Sequence, residues 1–437
     1  MAKARSVLIV RGFVLFSAAA LLSAQTVANP NELYQRARER VLERVSHLPN
    51  FTCVQTIVRR TYAGGAAGKH PPSCDQTVKA SAPGKHGSAQ ISSDRLRVDV
   101  AIADKHEVYS WVGAARFEED DLHKLVGGGQ TSMGDFGSLV AAIFNDHPSM
   151  HFEGERSVGG KRLLEFSYQT PAESSQYTVK VAWENFVTAY DGSIFLDAQS
   201  GELARVTARS AVLPEQTGYC QVSKELEYGH LRMGNADVLI PSEAASMAMD
   251  RNGAAMESVS DYSSCREYVG ESVLRFDIAE ADQSKDAGTT STGAPPASIP
   301  PGLAFDCRIV TPIDSDRAAA GDPIEGVLRS PITDTSGKVL APEGTRVRGR
   351  ILTFAQHAAK PKDYFEIGVQ LRWLELNGVR VPFAASMVNA VEDDKRSIHL
   401  SLHPYVGTFI FYEKKVHATT LNSQWVTATP DAPAANR

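Results

Sequence analysis

Residues 192–210, GSIFLDAQSGELARVTARS, place an apolar run, an aspartate, a polar stretch of turn character and a second β-rich run in succession. Such a segment reads as strand, turn, strand. The same pattern spreads outward on both sides. Strand-sized pieces stand at 150–158 (MHFEGERSV), 162–170 (RLLEFSYQT), 177–186 (YTVKVAWENF), 219–233 (YCQVSKELEYGHLRM), 236–250 (ADVLIPSEAASMAMD) and 263–276 (SSCREYVGESVLRF). Turn signals separate them, among them Gly159-Gly160, Asp191-Gly192 and Asn252-Gly253. From Asn145 onward the chain is therefore an antiparallel meander.

Upstream, residues 30–48 carry Leu33, Ala37, Val41, Leu42 and Val45 at helical spacing between charges, which predicts an amphipathic helix. The period then changes. FTCVQTIVRRTY (51–62), RLRVDVAI (95–102) and HEVYSWV (106–112) alternate as strands, and two short helical patches follow at 118–125 and 136–144, with Gly127, Gly128 and Gly129 as a hinge-like loop between them. A long meander must close or have a face covered. The expected fold is mainly β (α+β): a curved antiparallel sheet or half-barrel over 30–277, with the N-terminal helix and the short helices in its concave face.

Residues 278–301 are dominated by Ala, Asp, Ser, Thr, Gly and Pro and read as a disordered linker. Beyond it, 302–429 form a second set of strands, with Asn377-Gly378 marking a tight hairpin, and predict a small all-β barrel or sandwich. Residues 430–437 read as a frayed tail.

The first residues predict export. Lys3 and Arg5 give a positive start, 12–22 an apolar run broken only by Ser17, and Ser23, Ala24 and Ala28 the small residues of a cleavage site. The apolar run falls short of the 18 or so residues of a membrane span, so 1–28 are expected to be a cleaved signal peptide and no stable transmembrane segment is expected afterwards. The periplasm is the expected compartment, with release from the cell the alternative. The five cysteines agree with an oxidising compartment. Cys53 and Cys74 flank a Gly-rich turn, Cys220 and Cys265 lie in strands that an intervening hairpin could bring side by side, and Cys307 is left over as a core residue. Two pairs are the expectation, Cys53 with Cys74 and Cys220 with Cys265, the second as a bond, with buried thiols as the alternative.

The chain has 437 residues, 43% hydrophobic and 22% charged, and a formal charge of −6. Loss of Lys3, Arg5 and Arg11 with the signal would leave −9. An acidic balance argues against nucleic acid and anionic membrane surfaces as main partners, since both need a basic footprint.

The motifs that carry chemistry fail one by one. GGAAGKH (64–70) lacks the spacing of a phosphate loop and the hydroxyl that would bind magnesium. His147 with His151, and His399 with His403, are four apart, but in strands that spacing separates them by roughly 13 Å, too far to share an ion. Glu118, Glu119, Asp120 and Asp121 suit a helix start better than acid/base work. Neither GxSxG nor CxxC occurs. No catalytic residue, metal or cofactor is expected, and the chain is not expected to be an enzyme. Aromatic residues, however, concentrate between 109 and 195. If the sheet is curved, Tyr109, Trp111, Phe117, Phe144, Phe166, Trp183 and Phe195 could line an apolar ligand pocket, with core packing the alternative.

The order of helix, early strands, HEVYSWV, short helices and a meander containing IFLDAQSGELARV resembles periplasmic lipoprotein carriers of the LolA and LppX type over roughly residues 31–277. The resemblance implies a half-barrel plugged by a helix and a lipid or other apolar ligand. The cysteines and long final hairpins depart from the carrier pattern, so no cavity residue transfers by position. The LPNFTC stretch (48–53) is similar to that of uncharacterised exported bacterial proteins. In the second half, PIEGVLRSPI, GKVLAPEGTRVRGRI and VQLRWLELNGVRVPF resemble the β-barrel of TrbI-type secretion-channel proteins, with Ala341, Pro342, Gly344 and Thr345 at the matching turn. Three roles follow in order: an envelope interaction or scaffold protein with a protein partner, a carrier for a lipid or other apolar ligand, and an enzyme whose site is assembled from distant residues.

Overall fold

The computed structural model describes residues 29–64, 73–80, 89–103, 105–114, 117, 122–127, 129–131, 133–181, 184–233, 236–267, 299–390, 396–399 and 405–429. The expected signal peptide, most of the expected linker and the C-terminal tail lie outside them.

Helix α1 (Pro30–Ser46) starts where Asn29 accepts a hydrogen bond from the Asn31 amide at 3.1 Å and Pro30 fills the first turn, which needs no donor there. It buries Tyr34, Ala37 and Val41, a stripe at spacings of three and four. The N-terminal strands are β1 (Phe51–Tyr62), β2 (Gln90–Ala103), β3 (His106–Trp111), β4 (Ser149–Val158), β5 (Lys161–Thr170), β6 (Thr178–Val181), β7 (Glu184–Val187), β8 (Tyr190–Asp197), β9 (Leu203–Ser210), β10 (Tyr219–Met233), β11 (Ala236–Asp250) and β12 (Ala255–Glu267). Short helices α2 (Cys74–Ala80), α3 (Leu122–Val126) and α4 (Ser138–Asn145) interrupt them.

Antiparallel pairing gives the spatial order β3-β2-β1-β12-β11-β10-β9-β8-β5-β4, an open sheet. The opening segment 192–210 is the β8–β9 hairpin, as its alternation predicts. Helices α1 and α4 cover one face, packing Tyr34, Val41, Ile143 and Phe144 against Phe166, Ile194, Leu196, Val206 and Leu226. Arg40 and Arg44 both pair with Glu202 in the β8–β9 turn, and the Arg38 guanidinium donates to the Phe144 carbonyl at 3.1 Å. The expected strand 177–186 folds instead as the β6–β7 hairpin, a two-stranded sheet separate from the main one among the described residues. The helical patch expected at 136–144 starts later, at Ser138, because Phe136 turns inward against Phe51 and Tyr262.

The cysteine pairing needs correction, for Cys53 with Cys74 as well as for Cys220 with Cys265. Cys53 bonds Cys265, and Cys74 bonds Cys220. Cys220 on β10 lies level with Met249 on β11 and, through it, with Ala255 on β12, so Cys265 stands ten residues further along β12, roughly 33 Å away and far beyond reach of a disulfide. Cys53 instead sits on β1, the direct neighbour of β12, where the register shifts between Thr52 and Val54. Peptide mapping of unreduced protein is expected to recover 53–265 and 74–220 crosslinks; a 220–265 crosslink would overturn this topology. Cys307 is unbonded and buried.

The second half supplies β13 (Ala304–Ile309), β14 (Ile313–Asp314), β15 (Pro323–Leu328), β16 (Ile332–Thr333), β17 (Val339–Ala341), β18 (Arg346–His357), β19 (Tyr364–Leu376), β20 (Val379–Pro382), β21 (Ala384–Ala390), β22 (Arg396–His399), β23 (Gly407–Phe411), β24 (His417–Ala418) and β25 (Leu421–Ala428). Its main order is β21-β25-β13-β15-β18-β19-β23-β22 around Trp425, Phe305, Ile367 and Phe409.

Both halves meet on β2. One edge of β2 pairs with β1 throughout. The other edge is shared three ways: residues 98–103 face β3, Arg95 and Arg97 exchange backbone hydrogen bonds with Ala320, and residues 92–94 pair with β18. Gly321, at φ 103°, fits there because a Cβ would stand 2.0 Å from the Arg97 carbonyl oxygen. Arg97 also pairs with Asp322, and Arg350 donates to the Val112 and Gly321 carbonyls at 3.0 and 2.6 Å. One apolar core runs across the junction, from Leu96 and Val98 to Ile351 and Phe365.

Candidate functional site

A cleft of about 640 Å³ opens on the helix-covered face of the N-terminal sheet. Its floor is Val222, Lys224, Ser246, Ala248 and Met256 from β10, β11 and β12, every second residue along β10 and β11 facing inward. One wall is made by residues 129–131, Met133 and Gly134 with the first turns of α4, including Leu139 and Ala142. The other is the β6–β7 hairpin with its approach, residues 176–181.

The hairpin is held at its base. The Asp146 carboxylate accepts from the Gln176 amide at 3.0 Å and from the Tyr190 hydroxyl at 2.7 Å, and the Tyr177 and Tyr190 rings lie 5.0 Å apart. Burial pushes the Tyr177 phenol up to about 12, so it stays neutral at physiological pH. Gln130 reaches across the cleft to donate to the Ser246 hydroxyl at 3.3 Å.

At the inner end of the floor lies a polar cluster assembled from four segments. Lys224 Nζ is 2.5 Å from Asp135 Oδ1, with side chains 9% and 2% exposed. The ammonium also donates to the Met133 carbonyl, and Tyr262 donates its hydroxyl to Asp135 Oδ2 at 2.5 Å. Next to them the Glu107 carboxylate accepts from Tyr109 Oη at 2.6 Å, from the Gly134 amide at 2.8 Å and from the Phe136 amide at 3.2 Å. Burial, with the Asp135 charge added, pushes the Glu107 carboxyl above the usual glutamate range, while its three donors oppose that rise. Burial and Asp135 also raise the Tyr262 phenol.

Of the seven aromatic residues expected to line a pocket, none of the six among the described residues lines this cleft. Tyr109 is buried and bonded to Glu107, Phe144 and Phe166 pack with Tyr34 in the core under α1, and Trp111 lies beneath the Arg350 guanidinium. Phe195 carries the Arg205 guanidinium over its ring, Phe117 is half-buried, and Trp183 lies outside the described residues. These rings pack elsewhere, and the cleft floor formed where residues are small or aliphatic, with Tyr177 and Tyr219, outside the expected set, among its lining. Of the polar candidates, 118–121 and His403 lie outside the described residues. Among the described residues no group of three His, Cys, Asp or Glu side chains is placed to share a metal ion.

The sequence reading missed Glu107, Asp135, Lys224 and Tyr262. One signal was available: Lys224 stands two residues before Leu226 on β10, so a cation occupies the face that Leu226 buries. A charge on that face needs a partner, though nothing local says that it is Asp135.

No protein-family model matches the chain, and no curated protein matches it. About half of the chain is similar to solved structures of outer-membrane lipoprotein-sorting and related domains. One is a putative outer membrane lipoprotein-sorting protein domain from Vibrio parahaemolyticus, 10% identical with a TM-score of 0.26, covering 55% of this chain and 93% of that one. The Mycobacterium tuberculosis lipoprotein LppX is 9% identical with a TM-score of 0.21, covering 56% and 99%. A DUF1329 family protein from Desulfovibrio piger is 11% identical with a TM-score of 0.27, covering 56% and 96%. None of the three is described as a secretion-channel protein, and the TrbI-type resemblance gains no support from them.

Proposed function

We propose that this protein is an exported, non-enzymatic binding protein that shelters one small apolar or amphipathic molecule, such as a single acyl chain, in the cleft. The observation that carries the reading is the cleft itself. Its volume lies within the range of roughly 300–1,000 Å³ that suits one small ligand, and Met133, Leu139, Val179, Val222, Ala248 and Met256 give it aliphatic surface. Each 100 Å² of apolar ligand surface withdrawn from water would contribute about 2.5 kcal/mol. The two disulfides fit an oxidising compartment outside the cytosol.

The test is mass spectrometry of an organic extract from protein purified without detergent, with Val222→Trp beside the wild type. An apolar molecule near one equivalent is expected from the wild type, and a binding loss of about tenfold or more from the variant, whose indole would occupy the floor. An empty extract that stays empty after lipid is added, or equal loading of a folded variant, would discard the cleft as the site.

An interaction role in the envelope has a separate observation behind it: Trp373 and Val379 are exposed on the paired strands β19 and β20. Photo-crosslinking from position 373 in cells that yields no adduct to another protein would remove this reading.

A further inference from the structure

We infer that residues 133–136 form a proton-operated latch on the cleft, held by the ionised Glu107 carboxylate and loosened when that carboxylate takes up a proton. The latch presupposes that the cleft is the ligand site and adds its regulation. All three partners of the carboxylate are donors: the Gly134 amide, the Phe136 amide and the Tyr109 hydroxyl. A protonated carboxyl is neutral and carries a donor of its own, so all three lose a charged acceptor, and charge-assisted hydrogen bonds are roughly twice as strong as neutral ones.

The consequence reaches the ligand because Met133 and Gly134 are cleft wall. Gly137 follows directly at the start of α4, which supplies Ser138, Leu139 and Ala142 to the same wall. Slack at 134–136 therefore moves the boundary of the cleft.

The surrounding charges favour uptake of one proton. Asp135 on the loop, Lys224 and Tyr228 from β10, Tyr262 from β12 and Tyr109 from β3 face the site. Arg59 of β1 lies against Gly129 and pairs with Asp94. With both carboxyls ionised, Glu107, Asp135 and Lys224 sum to one negative charge, and a single proton neutralises the trio. Asp135 holds the lysine at 2.5 Å, which leaves Glu107 as the acceptor of that proton. Since burial and Asp135 raise the Glu107 carboxyl, the proton is taken up at a higher pH than by an exposed glutamate, and the latch is closed above that midpoint and open below it.

The test uses the full mature chain and N-phenyl-1-naphthylamine, a dye that is uncharged over the range, titrated at pH 7.5, 6.5, 5.5 and 5.0. Wild-type affinity is expected to weaken by about threefold or more between pH 7.5 and 5.0, reflecting the loss of charge assistance. Glu107→Gln is expected to bind weakly and equally at every pH. A flat wild-type profile, or an unchanged slope in the variant, would overturn the latch. Should the dye fail to bind at any pH, the cleft reading falls on that result. The latch is then decided by amide hydrogen exchange of Gly134 and Phe136, corrected for intrinsic rate, which is expected to quicken at pH 5.0. Equal protection at both pH values would refute it. The exchange measurement needs only wild-type protein, so it also decides the matter if Glu107→Gln does not fold.

Discussion

Replacing Cys53 and Cys265 together by alanine is expected to lower the unfolding free energy by about 4 kcal/mol, read as a fall in the urea midpoint. The bond joins β1 to β12 across 212 residues of sequence. In the chain-entropy account, a loop of that size costs the unfolded ensemble on the order of 5 kcal/mol, and native adjustments reduce what is recovered. The pairing it reinforces is the one between the first and last strands of the N-terminal sheet, from Phe51 opposite Glu267 to Tyr62 opposite Ala255. A double variant with the midpoint of the wild type would show that strand pairing alone secures this seam.

Lys224→Met is expected to destabilise by about 3–5 kcal/mol, because it leaves the Asp135 carboxylate buried without its cation. Both side chains are withdrawn from water, so solvent screening gives little relief. The double variant Lys224→Met with Asp135→Asn should recover much of the loss, since the charge that paired with the lysine is removed with it and the cluster returns to the single negative charge of the wild type on Glu107, and the asparagine oxygen can still accept from Tyr262. Chemical denaturation of the four proteins forms a double-mutant cycle. If Lys224→Met alone falls within about 0.5 kcal/mol of the wild type, the ammonium is not holding the loop.

The strands were legible because alternation along a half-buried strand is a local property. GSIFLDAQSGELARVTARS announces β8, its turn and β9 without reference to anything else in the chain. Pairing across the sheet is not local. Which cysteine meets which depends on the strand order and register that bring Cys53 beside Cys265 and leave Cys220 level with Ala255, and no spacing along the sequence encodes them. The polar cluster was hidden for the same reason: Glu107, Asp135, Lys224 and Tyr262 come from four segments, and each alone looks like an ordinary surface charge or strand aromatic. The cleft was misplaced because aromatic residues mark where a core packs most densely. Phe144 and Phe166 fill space under α1, whereas the cavity remains where Val222, Ser246 and Ala248 leave it.

The shared outer edge of β2 also sets a timetable for the emerging chain. Its backbone groups at 92–97 find their partners only in Ala320 and in residues 355–357, more than two hundred residues later. Until those residues arrive, an N-terminal half otherwise complete carries a bare stretch of strand, a surface that invites pairing with a second molecule. A chain truncated before Ala320 would keep that surface permanently, so the later strands serve the earlier ones as a seal against self-association.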